Sequence, residues 1–512
     1  MGYSGAGLND PDVVVIGSGP NGLTAACTLA RRGHRVLVVE ANPRRPGGAL
    51  GSEEHTRTGF VHDVGAGFFP FGRSSPAFQT LDLESGGVTW LNAELESCHP
   101  ALDGSRACIA RDVELSAELF GSARDGRAWR KLCEFHRRIE PNLLAALMNP
   151  FPAVGDAWRL GLANLLRVGG MFARSGRRLA QGLFEGEAAR RVLPGVALHV
   201  DVGPDDWFGA GLGYMLALTA STGGYAFPRG GAQAITNALV TTLERHGGRL
   251  RLGARATRIV VRGGRASGVV LESGEEIRAG RAVLADTSAP ALALQLLEPA
   301  HVPGRMLRKM RKFPLGFGTF KVDFALGAPV PWSVAEARRS AVVHAGESLD
   351  DLSRFVREVR SGKLPERPYL VIGQHSIVDR SRAPQGGHTL YVYSRVPSEL
   401  PGGWEAAREA FADRIVERIE GLAPGFKAVI LARKAHSPAD LERGNANLLG
   451  GDLGGGSNAW HRQLLFRPMF PYFRYRMPVR RLYLCSSYAH PGAGVHGMCG
   501  YNAAKIAASD IE

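Results

Sequence analysis

An apolar run, Val13-Val14-Val15-Ile16, enters Gly17-Ser18-Gly19-Pro20-Asn21-Gly22 and a helix of small residues, and a second apolar run, Arg35-Val36-Leu37-Val38-Val39, ends on Glu40. This is a strand, a G-x-G-x-x-G turn, a helix and a second strand. Gly17 permits the tight turn, Gly19 lets the backbone approach a pyrophosphate, and Gly22 lets the helix pack close to the strand. The helix N-terminus adds amide donors and a positive dipole, and Glu40 stands where a carboxylate accepts from ribose hydroxyls. In a chain with 66 glycines the bare motif would mean little, but the strand before it, the helix after it and the acid beyond make it a dinucleotide signature.

A chain of 512 residues exceeds one ordinary core, so two interleaved domains are expected. The net charge of +14 comes mainly from arginines scattered without a basic run or a repeated basic-aromatic pattern, which argues against nucleic-acid binding. Cys27, Cys98, Cys108, Cys133, Cys485 and Cys499 show neither C-x-x-C nor zinc spacing, so neither a redox dithiol nor a metal site is expected. Val13 to Ile16 is too short for a signal peptide, and no stretch reaches the roughly 18 apolar residues of a membrane span. A cytoplasmic protein, peripheral on a membrane at most, is the expectation.

Beyond Glu40, Arg44-Arg45-Pro46-Gly47-Gly48 forms a loop at the carboxyl end of the second strand, and Gly59 to Gly65 reads as a short strand and turn. From about 74 to 223 helical periodicity takes over, with amphipathic segments at Trp129 to Ala146 and Trp158 to Gly182. A helix is expected over Ala232 to His246, then a small meander punctuated at Gly263-Gly264 and Ser273-Gly274, then the strand Arg281 to Asp286. Phe317 to Phe324, Tyr369 to Gln374 and Leu390 to Val396 suggest a second, largely antiparallel sheet. The chain ends on another strand, Arg481 to Cys485, a glycine turn, His490 to Gly497, and a helix, Gly500 to Ser509.

These features resemble the phytoene desaturase-like branch of the flavin-dependent amine oxidase superfamily, and within it most of all the pyridine nucleotide-disulphide oxidoreductase domain-containing proteins. The carrying residues are Gly17 to Gly22 with Glu40, Arg45-Pro46-Gly47-Gly48, Gly224-Tyr225-Ala226-Phe227-Pro228-Arg229-Gly230-Gly231 and His490-Pro491-Gly492-Ala493-Gly494. The resemblance implies an α/β protein: a discontinuous Rossmann-type FAD-binding domain (8–73, 224–295 and 478–512) with an α+β substrate domain (74–223 and 296–477) of antiparallel sheet plus a helical, membrane-facing insert near 125–200. It also implies one FAD, contacted by Gly17, Gly19, Pro20, Asn21, Gly22, Glu40, Ala41, Arg45, Gly47, Gly48, Ala256, Ser487, Gly492, Gly494 and Val495. Where many members carry a Gly-Ala or Gly-Ser pair after the terminal strand, this chain has Ser486-Ser487-Tyr488, and the bulk of Tyr488 bears on access to the flavin. There is no second G-x-G-x-x-G unit for a separate nicotinamide and no C-x-x-C, which favours FAD as resident hydride acceptor over disulphide reduction.

The expected chemistry is desaturation or dehydrogenation of a hydrophobic, isoprenoid or carotenoid-like substrate, with electrons passing on to oxygen or a quinone. Saturation and isomerisation fit the same site. An amine oxidase with a cage from Tyr472, Phe473 and Tyr475 is the rival enzyme, and a flavin-binding scaffold with Tyr488 over the ring is the rival of another class. His490 is the protic candidate, either for catalysis or for bonding the turn's backbone. Lys321 is the second, by analogy with the lysine that holds a water at the flavin of amine oxidases, set against an ordinary solvated strand face. His62 and Asp63 either contact the cofactor or finish a strand. A basic amphipathic helix, Trp158 to Arg178, carries Arg159, Arg167, Arg174, Arg177 and Arg178, and either meets an anionic membrane or packs on the flavin domain.

Overall fold

Residues 11–512 are described by a computed structural model; residues 8–10 of the first expected FAD-domain segment lie outside the described residues. The strand Val13–Ile16 is buried throughout, as a parallel strand covered on both faces must be. It pairs in parallel with Val36–Val39 and Ala282–Ala285, and Arg249–Arg251 and Leu482–Leu484 complete a five-stranded parallel sheet. Ile16 lies opposite both Val39 and Ala285, so Gly17, Glu40 and Asp286 leave the sheet side by side at its carboxyl edge. Open α/β sheets bind their ligands at that edge.

Helix Pro20–Ala30 starts at the glycine turn with proline in its first position. The C-terminal helix Met498–Ile511 crosses it so closely that a Cβ on Gly500 would stand 1.9 Å from the Asn21 carbonyl oxygen. Helix Gln233–Arg245 packs on the same element. The expected meander is present as three antiparallel strands, Ala256–Arg262, Arg265–Leu271 and Glu276–Arg278.

The second sheet has seven strands in the order Ile430–His436, Gly318–Leu326, His388–Val396, Leu370–Gly373, Ser340–Ala345, Leu95–Pro100 and Arg106–Ile109. It is antiparallel except where Ser340–Ala345 runs parallel to Leu95–Pro100. Two of its strands therefore come from the stretch expected to be mostly helical. Leu95–Pro100 is buried along its whole length although it carries Glu96, Ser97 and His99, and those polar residues hide a strand from an alternation test.

Two further expectations need correction. The segment Trp158 to Arg178 is not one helix: Val154–Leu160 and Leu162–Phe172 meet at Gly161, whose φ of +79° breaks the helix, and a third helix, Gly176–Leu183, is capped by Ser175. Lys321 does not lie on a solvated face. Phe320 does pack on Phe411 and Trp404, but the hairpin Ser52–Glu54 with Val61–Asp63, together with His55 and His62, covers the opposite face and buries Lys321 and Asp323 as an ion pair.

Candidate functional site

A cleft of about 880 Å³ opens at the carboxyl edge of the parallel sheet and continues to the second sheet. That is the upper part of the ~300–1,000 Å³ range of cofactor and small-molecule sites. On the parallel-sheet side its walls include Gly17, Gly19, Pro20, Asn21, Glu40, Ala41 and Ala256; Gly48, Ser487, Gly494 and Val495 follow. The two ends of the chain thus meet at one cleft. On the substrate-domain side the walls are Phe68, Phe71, His199, Leu212, Leu216, Tyr391, Tyr393 and Arg395.

The donors on the parallel-sheet side suit an adenine dinucleotide. Glu40 is fixed by the Ser18 N–H at 2.8 Å, the Ser18 hydroxyl at 2.6 Å and the Asn42 N–H at 2.8 Å. A carboxylate offers about four lone-pair directions, so one remains for a ribose hydroxyl. In the first helical turn Pro20 has no N–H, the Gly22 N–H goes to Asp286 at 2.9 Å, and the Asn21 N–H has no partner among the described residues. The Asn21 side-chain oxygen is also buried without a partner, and this open polar mouth is what a diphosphate and its ribityl chain would fill.

Several sequence-predicted residues lie elsewhere. Gly22, Gly47 and Gly492 support the wall from behind rather than lining it. Arg45 turns away to pair with Glu53 at 2.6 Å and to reach the Gly48 carbonyl, and Arg44 faces the cleft instead. His490 does not line the cleft: its Nε2 meets the Asn149 carbonyl at 3.1 Å, tying the terminal turn to the helical insert, and burial pushes its ring down to about 4. Asp63 pairs with Arg382 at 2.6 Å, and His62 meets the Thr56 hydroxyl at 2.7 Å. Tyr475 belongs to the core of the parallel-sheet domain and Phe473 stacks on Phe470, so neither forms a cage. The aromatic wall is Phe68, Tyr391 and Tyr393. Tyr488 lines the cleft with its ring 5.5 Å from Phe313 and its hydroxyl on the Asn447 carbonyl at 2.8 Å, a pinned wall residue.

Lys321 sits behind that wall, its Nζ 4.6 Å from the centre of the Tyr391 ring. Burial would raise the Asp323 carboxyl, but the Lys321 ammonium and a 2.8 Å bond from His55 hold it below the usual range. His55, Asp323 and His436 bring ligand-type atoms within 4.8 Å of one another, and the ammonium already occupies the carboxylate they share.

The sequence reading missed four parts of the site. Asp286 is one, although it ends a recognised strand. Asn445 to Leu449 is another: Asn447 bonds the Asp286 carbonyl at 2.9 Å and the Ser288 N–H at 2.8 Å. Arg467 is a third, buried and donating to the carbonyls of Ser487 and Gly454, which clasps the terminal turn to a glycine-rich loop. The fourth is the triplet Tyr391, Tyr393 and Arg395, which strand alternation places on one face.

Asp286 carries a pH prediction. Burial, and secondarily the Glu40 charge, push its carboxyl up to about 7 against the Gly22 hydrogen bond. Its stabilising contribution is complete below the ordinary aspartate range and disappears as pH rises through about 7. Above that pH an ionised carboxylate borders the helix N-terminus that would hold a diphosphate. FAD affinity is expected to fall by up to about tenfold per pH unit above 7 and to be flat in Asp286→Asn, as measured by fluorescence titration of the apoprotein. A flat wild-type profile would contradict this.

The comparisons agree with the geometry. Residues 15–82 match the NAD(P)-binding Rossmann-like domain, and residues 175–511 match flavin containing amine oxidoreductase. The chain is 28% identical to pyridine nucleotide-disulfide oxidoreductase domain-containing protein 2 of Rattus norvegicus, covering 98% of this chain and 94% of that protein. It is 28% identical to a phytoene dehydrogenase of Streptomyces griseus over 84% of this chain and 82% of that one. The fold is similar to that of cyclohexylamine oxidase from Brevibacterium oxydans, with a TM-score of 0.61 at 18% identity over 98% of this chain and 99% of that one. A glycine turn, a ribose-binding acid and a distant terminal turn meeting at one cleft, in a chain two-thirds of which matches a single family, leave one assignment: the protein belongs to the flavin-containing amine oxidoreductase family and is an FAD-dependent oxidoreductase.

Proposed function

We propose that the protein dehydrogenates a hydrophobic, isoprenoid- or carotenoid-like substrate, removing hydrogens from adjacent carbons to leave a carbon–carbon double bond. The observation that carries this reading is the continuity of the cleft from the dinucleotide cradle into a chamber walled by Phe68, Phe71, Leu212, Leu216 and Tyr391. FAD bound there supplies the two-electron acceptor for a hydride. The neighbouring carbon loses a proton to water, and the electron pair leaves for oxygen or a quinone. The chamber walls hold the chain in place. The phytoene dehydrogenase relative supports the substrate class. Aerobic incubation with phytoene should give a product short of two hydrogens, by mass spectrometry; conversion of primary amines alone would overturn the reading.

The substrate's source is the second part of the proposal: the insert docks on an anionic membrane surface. Val154, Trp158, Leu162, Leu165 and Leu166 are exposed, Trp158 by 85% and Leu162 by 71%, beside the exposed Arg174 and Arg178. Arg177 takes no part, being paired with Asp205 and Asp350. No helix among the described residues is long and apolar enough to cross a membrane. A triple variant, Trp158→Asp with Leu162→Asp and Leu166→Asp, is expected to lose flotation with phosphatidylserine vesicles while keeping its flavin. Unchanged flotation would count against the docking face.

A further inference from the structure

We propose that the substrate-domain end of the cleft is a carboxylate-binding subsite, so that an apolar chain bearing one carboxylate is bound in preference to a plain hydrocarbon or an amine. This rests on the reading of the cleft as a dehydrogenation site and narrows its substrate class. Arg395 lines that end and is only 4% exposed. Its Nε–H reaches the Leu198 carbonyl at 3.4 Å and its Nη1 donates to the Thr319 hydroxyl. Among the described residues its Nη2 has no acceptor and no carboxylate pairs with it. The guanidinium lies 4.9 Å from the centre of the Tyr393 ring, so its plane is already fixed. A buried guanidinium left without a counter-charge is costly, and an incoming oxyanion removes that cost.

A second donor stands beside it. The Tyr393 hydroxyl and His199 Nδ1 are 2.9 Å apart, and His199 Nε2 and His344 Nε2 are 2.8 Å apart. Burial holds both rings below their ordinary range, so both are neutral and each carries one N–H. His344 Nδ1 is buried without a partner. An orphaned lone pair is cheaper to bury than an orphaned N–H, which places the His344 proton on Nε2, donating to His199 Nε2. His199 Nδ1–H then donates to the Tyr393 oxygen, and the Tyr393 O–H is left to donate into the cleft. Two donors, one carrying a charge that no carboxylate neutralises, recognise an oxyanion and repel an ammonium. Of the carboxylates that do line the cleft, Glu40 and Asp286 stand at the parallel-sheet edge, Glu442 accepts from the Gly450 N–H, and Asp452 accepts from the N–H groups of Gly316, Gly454 and Gly456; none is paired with Arg395. One unpaired cation matches one negative charge, which favours a carboxylate over a phosphate monoester.

The test uses the FAD-loaded protein and reads the perturbation of its visible flavin spectrum during titration with decanoate, decan-1-ol, decylamine and decyl phosphate. Decanoate is expected to bind at least about tenfold more tightly than the alcohol, the amine to bind most weakly, and the phosphate to bind no tighter than decanoate. Arg395→Gln should retain FAD and lose the preference, and Arg395→Lys should keep part of it. Equal affinity for acid and alcohol in the wild type, or a preference that survives Arg395→Gln, would overturn the subsite. Tighter binding of decyl phosphate would overturn the carboxylate assignment, and so would an Arg395→Gln flavin spectrum altered before any ligand is added. Failure of the underlying reading looks different: no decyl ligand perturbs the flavin at all.

Discussion

Gly19→Glu is expected to yield a folded, colourless protein. A Cβ at position 19 would stand 2.4 Å from Asp286 Oδ2, and that carboxylate is held in place by the Gly22 N–H. The new side chain must therefore displace the wall or project into the diphosphate position. It also brings a third carboxylate to the edge where Glu40 and Asp286 already stand. Like-charge juxtaposition costs several kcal/mol, so FAD affinity should fall at least about 100-fold. The ratio of flavin absorption to protein absorption after purification reads the loss, and circular dichroism confirms the fold. Full flavin retention would refute the placement of the diphosphate.

Lys321→Met should cost about 3–5 kcal/mol of stability, because it strands the Asp323 carboxylate at a position with no solvent exposure. The midpoint of urea unfolding measures this. The double variant Lys321→Met with Asp323→Leu removes both charges and is expected to recover much of the loss. The pair separates two roles for the lysine. A lysine that positions water at the flavin would leave the double variant stable but slow in flavin reduction. A lysine buried behind Tyr391, as found, leaves the flavin chemistry of the double variant within a few fold of wild type.

What the sequence made legible was what depends on near neighbours. The strand, turn, helix and acid of residues 13–40 are set by local backbone requirements, and the structure delivers them to the cleft together. The second sheet was legible from Phe320, Val322 and Phe324 on one face. The fate of the opposite face was not: His55, 268 positions from Asp323 in the chain, covers it, and nothing within the strand announces that cover. The break at Gly161 was missed because arginine and leucine periodicity continues through a glycine whose backbone does not. Arg395 was overlooked for the opposite reason. Alternation along His388–Val396 puts it on one face with Tyr391 and Tyr393, but only the assembled cleft leaves its charge unpaired.

An apolar chain and FAD are expected to meet in the cleft that joins the dinucleotide cradle to the chamber of the second sheet. Anaerobic stopped-flow mixing of the FAD-loaded protein with phytoene and, separately, with primary amines tests it most directly. Loss of the oxidised-flavin absorption is expected with the polyene and none with the amines; bleaching by amines alone would overturn the dehydrogenation reading.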